Sequence, residues 1–253
     1  MLCKRIIACL DVKDGQTVKG IQFKQLQQAG DPVALAAAYA RQGADELVLL
    51  DISATREGRG TFTALVEAVA AELDIPFTVG GGVGSEDAVE RLLRAGADKV
   101  SINSAALRDT GLINRLATAF GSQCIVLAVD VRAEPDGSWQ VYSTGGQTPT
   151  GRDGLAWIQE GADRGAGEIL LTSMTHDGTR QGFAVELTRM VSESVPVPVI
   201  ASGGAGQASH FVDVFTRGAA DAALAAGIFH FGVLQIPDLK QFLRQHGVAI
   251  RSV

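Results

Sequence analysis

Two aspartates draw attention by their placement. Asp11 ends the apolar run IIACL and Asp130 ends IVLAV, so each carboxylate closes a stretch that reads as a buried strand. One such aspartate is an ordinary strand-to-loop residue, because Asp suits turns. Two at matched positions suit general acid–base chemistry, with one group protonated and the other ionised in a shared pocket. Glycine supplies the second chemical signal. GGGVGSED (80–87) and SGGAGQAS (202–209) each follow an apolar run and open a helical pattern. Small residues let a backbone approach a ligand, and a helix N-terminus favours an anion. NSAAL (103–107) and AGIF (226–229) form a second matched pair.

An internal repeat positions these groups. GADELVLLDIS (43–53) resembles GAGEILLTSMT (165–175), and the segment 74–97 resembles 196–219, both at an offset of 122. One extra alanine, Ala219 or Ala220, then shifts the offset to 123. IIACLDV (6–12) matches IVLAVDV (125–131) at an offset of 119.

Short aliphatic runs predict strands at 5–11, 47–51, 77–79, 100–103, 125–130, 169–173, 199–201 and 222–225. Helical periodicity predicts helices at 32–42, 62–72, 85–94, 110–119, 154–164, 185–193, 207–217 and 237–246. Eight β-α units in 253 residues point to one domain, a (β/α)8 barrel of two duplicated (β/α)4 halves, about 1–121 and 122–253. A doubly wound sheet is the alternative.

In the barrel, strands 1 and 5 are opposed, so Asp11 and Asp130 should face each other at the mouth formed by the strand C-termini. Loops after strands 7 and 8 hold phosphate in many such barrels, and the repeat predicts a second site after strands 3 and 4. An elongated substrate phosphorylated at both ends would match. The candidate segments are GGGVGSED and NSAAL in one half, and SGGAGQAS and AGIF in the other. Asp51, Thr172 and Ser202 stand at further strand ends, and Asp177 and Gly178 lie in the loop after strand 6. His176 reads as a loop residue; no second His or Cys stands near it, so no metal site is expected. The insertion 135–151, with a DG turn, reads as a hairpin able to cover the pocket. Arg5, Glu46, Lys99 and Glu168 open four strands. They would either form ion pairs across the barrel floor or stand as solvated strand starts, and the residues alone favour the second.

Composition narrows the class. A net charge of −6 argues against a general nucleic-acid surface. Cys3, Cys9 and Cys124 lack CxxC spacing and fit a reducing cytoplasm. The N-terminal apolar run is too short for a signal peptide, and no segment has the roughly 18 apolar residues of a membrane span.

The motifs IIACLDVKDGQTVKG, DELVLLDI, PFTVGGGV, GADKVSIN, GAGEILLTSM, DGTRQG and VIASGGAG resemble, over essentially the whole chain, the cyclase subunit family of imidazole glycerol phosphate synthase in histidine biosynthesis. ACLDVKDG and IFHF separate it from the sister sugar isomerase, also a duplicated barrel with two catalytic aspartates. The resemblance implies ammonia-dependent cleavage and ring closure of a doubly phosphorylated formimino ribonucleotide, without a cofactor. It makes Asp11 and Asp130 the acid–base pair and puts Lys19 on a loop that contacts substrate. It groups Gly82, Asn103 and Ser104 at one phosphate, and Asp177, Gly178, Gly204, Ala226 and Gly227 at the other. It implies a glutaminase partner on the barrel floor, with Arg5, Glu46, Lys99 and Glu168 as a charged gate for ammonia and Asp98 at the subunit contact. Thr175, Gly227 and Thr144 depart from the family's common aspartate, serine and histidine. A non-catalytic phosphosugar-binding barrel is the reading from another class.

Overall fold

The computed structural model describes residues 2–21, 24–52 and 63–252, apart from the side chains of 19–21 and 24–27. Eight parallel strands close a ring in the order β1 (Arg5–Lys13), β4 (Glu46–Asp51), β5 (Phe77–Gly80), β6 (Lys99–Ile102), β7 (Ile125–Ala133), β10 (Glu168–Ser173), β11 (Val199–Ser202) and β12 (Ala222–Ala225). β12 pairs with β1, with Arg5 beside Ala222. The expected (β/α)8 barrel is the fold found.

Alternation along each strand sorts side chains into two layers. Outward residues such as Ile6, Leu47, Val79 and Leu127 pack with Val66, Leu92, Trp157 and Phe211 of the surrounding helices. Inward residues such as Ile7, Cys9, Val48, Val126, Leu170, Ile200 and Leu224 form a second core within the ring. Each buried aliphatic side chain contributes roughly 1.5–3 kcal/mol. Strands covered on both faces therefore read as unbroken apolar runs.

Several bounds differ from expectation for one reason. β1 and β7 each run past their aspartate, because each continues into an antiparallel ribbon outside the ring. β1 turns at Asp14 (φ 51°) and Gly15 (φ 75°) into β2 (Gln16–Ile21) and β3 (Lys24–Gly30). Two successive left-handed residues make the type I′ turn that suits hairpin twist. β7 turns into β8 (Trp139–Ser143) and β9 (Thr148–Asp153). The hairpin at 135–151 was expected; that of β2 and β3 was not, although Asp14–Gly15 signals it. Short helices at Ser104–Arg108 and Gly227–His230 add to the expected set. The helix expected at 62–72 is found at Thr63–Ala70, and residue 62 lies outside the described residues.

Three carboxylates pin the strand starts in one repeated way. The Ile6 N–H donates to Asp45 Oδ2 (2.8 Å), and the Asp45 N–H donates back to the Ile6 carbonyl (2.9 Å). Phe77 and Asp98 repeat this (2.8 and 2.9 Å), as do Val199 and Asp221 (both 3.0 Å). At the fourth equivalent place Gly167 keeps only the backbone bond, to Ile125 (2.9 Å). Asp45 also receives Lys240 Nζ (2.7 Å) from the helix Ile236–Gln245 and Arg251 Nε (3.2 Å). Lys240 is wholly buried, on the face that carries Ile236, Leu239 and Leu243. The pair ties the last helix to the first strands.

Candidate functional site at the barrel mouth

β1 and β7 are four strands apart in either direction around the ring, so Asp11 and Asp130 stand on opposite walls. Alternation directs Arg5, Ile7, Cys9 and Asp11 inward on β1, and Val126, Ala128 and Asp130 inward on β7. Cys9 Sγ lies 3.6 Å from Asp11 Oδ1, directly below it. Asn103, just past the end of β6, donates from Nδ2 to Asp130 Oδ2 (2.9 Å). Crowding by protein atoms pushes the Asp130 carboxyl up to about 6, the Asn103 amide opposes that rise, and the charge of Asp177 adds to it. A carboxyl poised there exchanges protons near neutral pH.

Thr172 lies beside Asp130 in the ladder, and Ser202 lies beside Thr172, so the three form a polar arc. Above it, Asp177 is buried in the loop after β10, with its N–H on the Ser173 carbonyl (2.9 Å). Gly178 follows with φ 73°. His176 Nδ1 hydrogen-bonds Ser173 Oγ (2.8 Å), and burial lowers its pKa. Thr175 Oγ1 accepts the Ala133 N–H (3.3 Å), which links this loop to the β7 ribbon.

The glycine segments form two like turns. Gly81 and Gly82 follow β5 with φ of 100° and 67°, and Gly203 and Gly204 follow β11 with φ of 91° and 104°. A Cβ on Gly81 would sit 2.2 Å from the Asp51 carbonyl oxygen, and one on Gly203 would sit 2.8 Å from the Ser173 carbonyl oxygen. Asp51 and Ser173 are repeat mates, so the same backbone approach is built twice. Gly204 also meets the strand 6 loop, and its carbonyl accepts the Gly182 N–H (2.8 Å). Ser104 begins one short helix, and Ala226 precedes the other, which begins at Gly227. Ser104 Oγ accepts the Thr144 N–H (2.9 Å), which docks the tip of the second ribbon on the first half. Lys19 lies on β2, and its side chain is outside the described residues.

At the opposite end, the four strand-opening charges form a closed ring. Arg5 bonds Glu46 (2.5 Å) and Glu168 (2.6 Å), and Lys99 bonds Glu46 (3.2 Å) and Glu168 (2.8 Å). Both glutamates are buried. Burial works against the Arg5 charge, but Glu168 and Glu46 outweigh it and raise its pKa. The solvated-start reading is overturned: inward alternation at the narrow floor leaves these side chains only each other as partners. Asp98 stands beside the ring, with its carboxylate on the Phe77 N–H. Asp45 and Lys240 escaped the sequence reading. A lysine at a core-facing helical position was the available signal.

Among the described residues no cluster of three or more His, Cys, Asp or Glu groups could hold a metal, and no helix is long and apolar enough to cross a membrane.

A family model described as histidine biosynthesis protein matches residues 5–235. The chain is 60% identical to the imidazole glycerol phosphate synthase subunit HisF of Geobacillus thermodenitrificans, covering 99% of this chain and 100% of that one. It is 57% identical to the subunit of the same name from Bacteroides thetaiotaomicron and 58% identical to that from Cytophaga hutchinsonii, each over the full length of both chains.

Proposed function

We infer function from the premise that the chain belongs to the family of imidazole glycerol phosphate synthase subunit HisF, enzymes of histidine biosynthesis. It is a cyclase subunit that uses ammonia to convert phosphoribulosyl-formimino-aminoimidazole carboxamide ribonucleotide into imidazole glycerol phosphate and aminoimidazole carboxamide ribonucleotide. In class it is a lyase, and it works in the cytoplasm. The observation that carries this reading is the opposition of Asp11 and Asp130 between two like glycine turns.

Asp11 and Asp130 act as the acid–base pair. A substrate with a phosphate at each end spans the mouth. One phosphate lies on Gly82 and Ser104, with Asn103 between Ser104 and Asp130. The other lies on Gly178, Gly204, Ala226 and Gly227, beside Asp177. Backbone N–H groups there supply anion donors without net positive charge, which accords with a chain of net charge −6. Asp51, Thr172 and Ser202 line the mouth between these ends, and Lys19 reaches substrate from the first ribbon. The whole chain, 1–253, works as one domain.

A subunit name implies a partner. We assign that partner as a glutaminase docked on the floor, near Asp98, delivering ammonia through the ring of Arg5, Glu46, Lys99 and Glu168. The ring is closed in this structure by four ion pairs, so delivery requires at least one to open.

The test is turnover of the purified chain with ammonium salt. Asp11→Asn and Asp130→Asn should each lower kcat by at least about 100-fold, the usual scale of general acid–base catalysis, while bisphosphate binding persists. Retained turnover in either variant sinks the paired-acid mechanism. An ammonia-independent ketose product from the wild type would assign the chain to the sister isomerase.

A further inference from the structure

Asn103 stands at the N-cap of the helix Ser104–Arg108, where an asparagine side chain ordinarily accepts an N–H of the first turn. Here it makes no capping bond. Its amide turns instead to Asp130, with Nδ2 2.9 Å from Oδ2. Its Oδ1 is buried and has no hydrogen-bond partner among the described residues. A buried acceptor without a donor is unfavourable, because it has given up water and gained nothing.

The fold does not require this side chain. The repeat places Ala226 at the equivalent position, with φ −127° and ψ −79° against −141° and −94° at Asn103. Alanine therefore supports the same uncommon backbone. What separates the two positions is the carboxylate beside Asn103.

We propose that Asn103 is a positioning residue for Asp130, fixing one carboxylate oxygen through Nδ2 and presenting Oδ1 as the acceptor for an N–H of the attacking ammonia. This rests on the cyclase reading above. Ammonia carries three N–H donors and one lone pair. Two adjacent acceptors, Asn103 Oδ1 and the Asp130 carboxylate, hold two of those hydrogens and leave the lone pair directed at substrate. The lone pair then forms a C–N bond at the substrate's ketose carbonyl carbon. The carbonyl π pair moves to oxygen, and one N–H proton passes to the Asp130 carboxylate, which delivers it to that oxygen. Atoms and charge balance, and no other reactant is needed.

The alternative role, a phosphate ligand alongside Gly82 and Ser104, sets Asn103 against its own surroundings. Its amide is on the Asp130 carboxylate of β7, to which Asp177 from the loop after β10 adds its negative charge. Thr172 beside Asp130 is neutral. A phosphate drawn to the Asn103 amide would meet those carboxylates.

Two variants test the proposal, Asn103→Ala, which the repeat shows to be compatible with the backbone, and Asn103→Asp. With saturating ammonium salt, Asn103→Ala should lower kcat by about 100-fold while KM for the bisphosphate changes by less than about threefold. Its KM for ammonia should rise by about tenfold. In the ligand-free protein, 13C titration of the Asp130 carboxyl, assigned with Asp130→Asn, should move upward, because the amide that favours the ionised form is gone. In Asn103→Asp the two facing carboxylates should titrate as a coupled pair, with the upper step above that of wild-type Asp130 and no recovery of turnover. A rise in bisphosphate KM with an unmoved Asp130 titration would make Asn103 a phosphate ligand and overturn the proposal, as would unchanged kinetics in Asn103→Ala. The titration needs no turnover. A wild type without ammonia-dependent activity whose Asp130 still shifts on substitution would sink the cyclase reading alone, leaving the link between Asn103 and Asp130 intact.

Discussion

The two halves of the barrel carry one backbone and two chemistries. Both open with a strand that outruns the ring into an antiparallel ribbon. Both turn after the third strand on paired left-handed glycines, and both start a short helix after the fourth. The side chains then diverge. Asn103 faces Ala226, Asp51 faces Ser173, and Asp45 faces Gly167. The shared features concern backbone approach, which only glycine or a particular turn permits. The divergent ones concern where protons and charges sit. A duplicated scaffold thus has its backbone and its mouth aspartates, Asp11 and Asp130, specified twice, while the polar neighbours of each aspartate are specified once.

The sharpest way to break the comparison lies at the floor. Asp45→Ala should destabilise the protein by about 3–5 kcal/mol, because it leaves Lys240 buried without its counter-ion, whereas Asp221→Ala, at a half-exposed brace, should cost only about 1 kcal/mol. Urea unfolding of both variants measures the gap; equal losses would show that Lys240 finds another partner.

The glycine turns come next. Gly81→Ala should cost roughly 3 kcal/mol and Gly203→Ala roughly 2, from left-handed strain plus overpacking. The order follows the closer approach at Gly81, 2.2 Å against 2.8 Å, and thermal melts of the two variants would reverse it if the first half relaxes more readily.

Asp130 allows a prediction in pH. Its pKa is raised from 3.8 to about 6, so the folded state holds the proton more tightly than the unfolded chain. The resulting cost to stability is absent below about pH 4, grows between pH 4 and 6, and is complete above. Asp130→Asn should therefore be more stable than wild type by about 3 kcal/mol at pH 8, with the gain vanishing near pH 4. A gain independent of pH would show that burial of the charge is not its source.

The smallest effect is expected at the repeat's extra alanine. Gly96 takes the left-handed position after its helix with φ 106°, but in the second half that position falls on Ala219, with φ 55°. Ala219→Gly should stabilise by about 1 kcal/mol, read as a higher Tm. No gain would mean that Ala219 packing outweighs its strain.

Much of this was legible in the sequence, for physical reasons. Strands covered on both faces produce continuous apolar runs, so the eight β-α units stood out, and a gapless offset of 122 exposed the duplication that sets Asp11 against Asp130. The first ribbon is hidden because QTVKG and KQLQQAG are too polar to read as strands; the Asp14–Gly15 turn pairs β2 with β1, and β3 then adds to β2. From sequence the floor ring favours solvated strand starts, since alternation tells which face a side chain takes but not how far it reaches across a barrel. The orientation of Asn103 was out of reach for a related reason. An asparagine before a helix predicts a cap, and only the position of Asp130 draws it away.

The contact between Asp45 and Lys240 spans 195 residues of chain. A ring of strands has no free edge once closed, but every partial ring has two. A nascent chain that has reached Ala225 and not yet Lys240 holds an acidic group in an unfinished floor, with no helix to seal it. Non-local closure of this kind is slow, and open edges invite association with other chains. The floor therefore stays unsealed until the chain has reached Lys240.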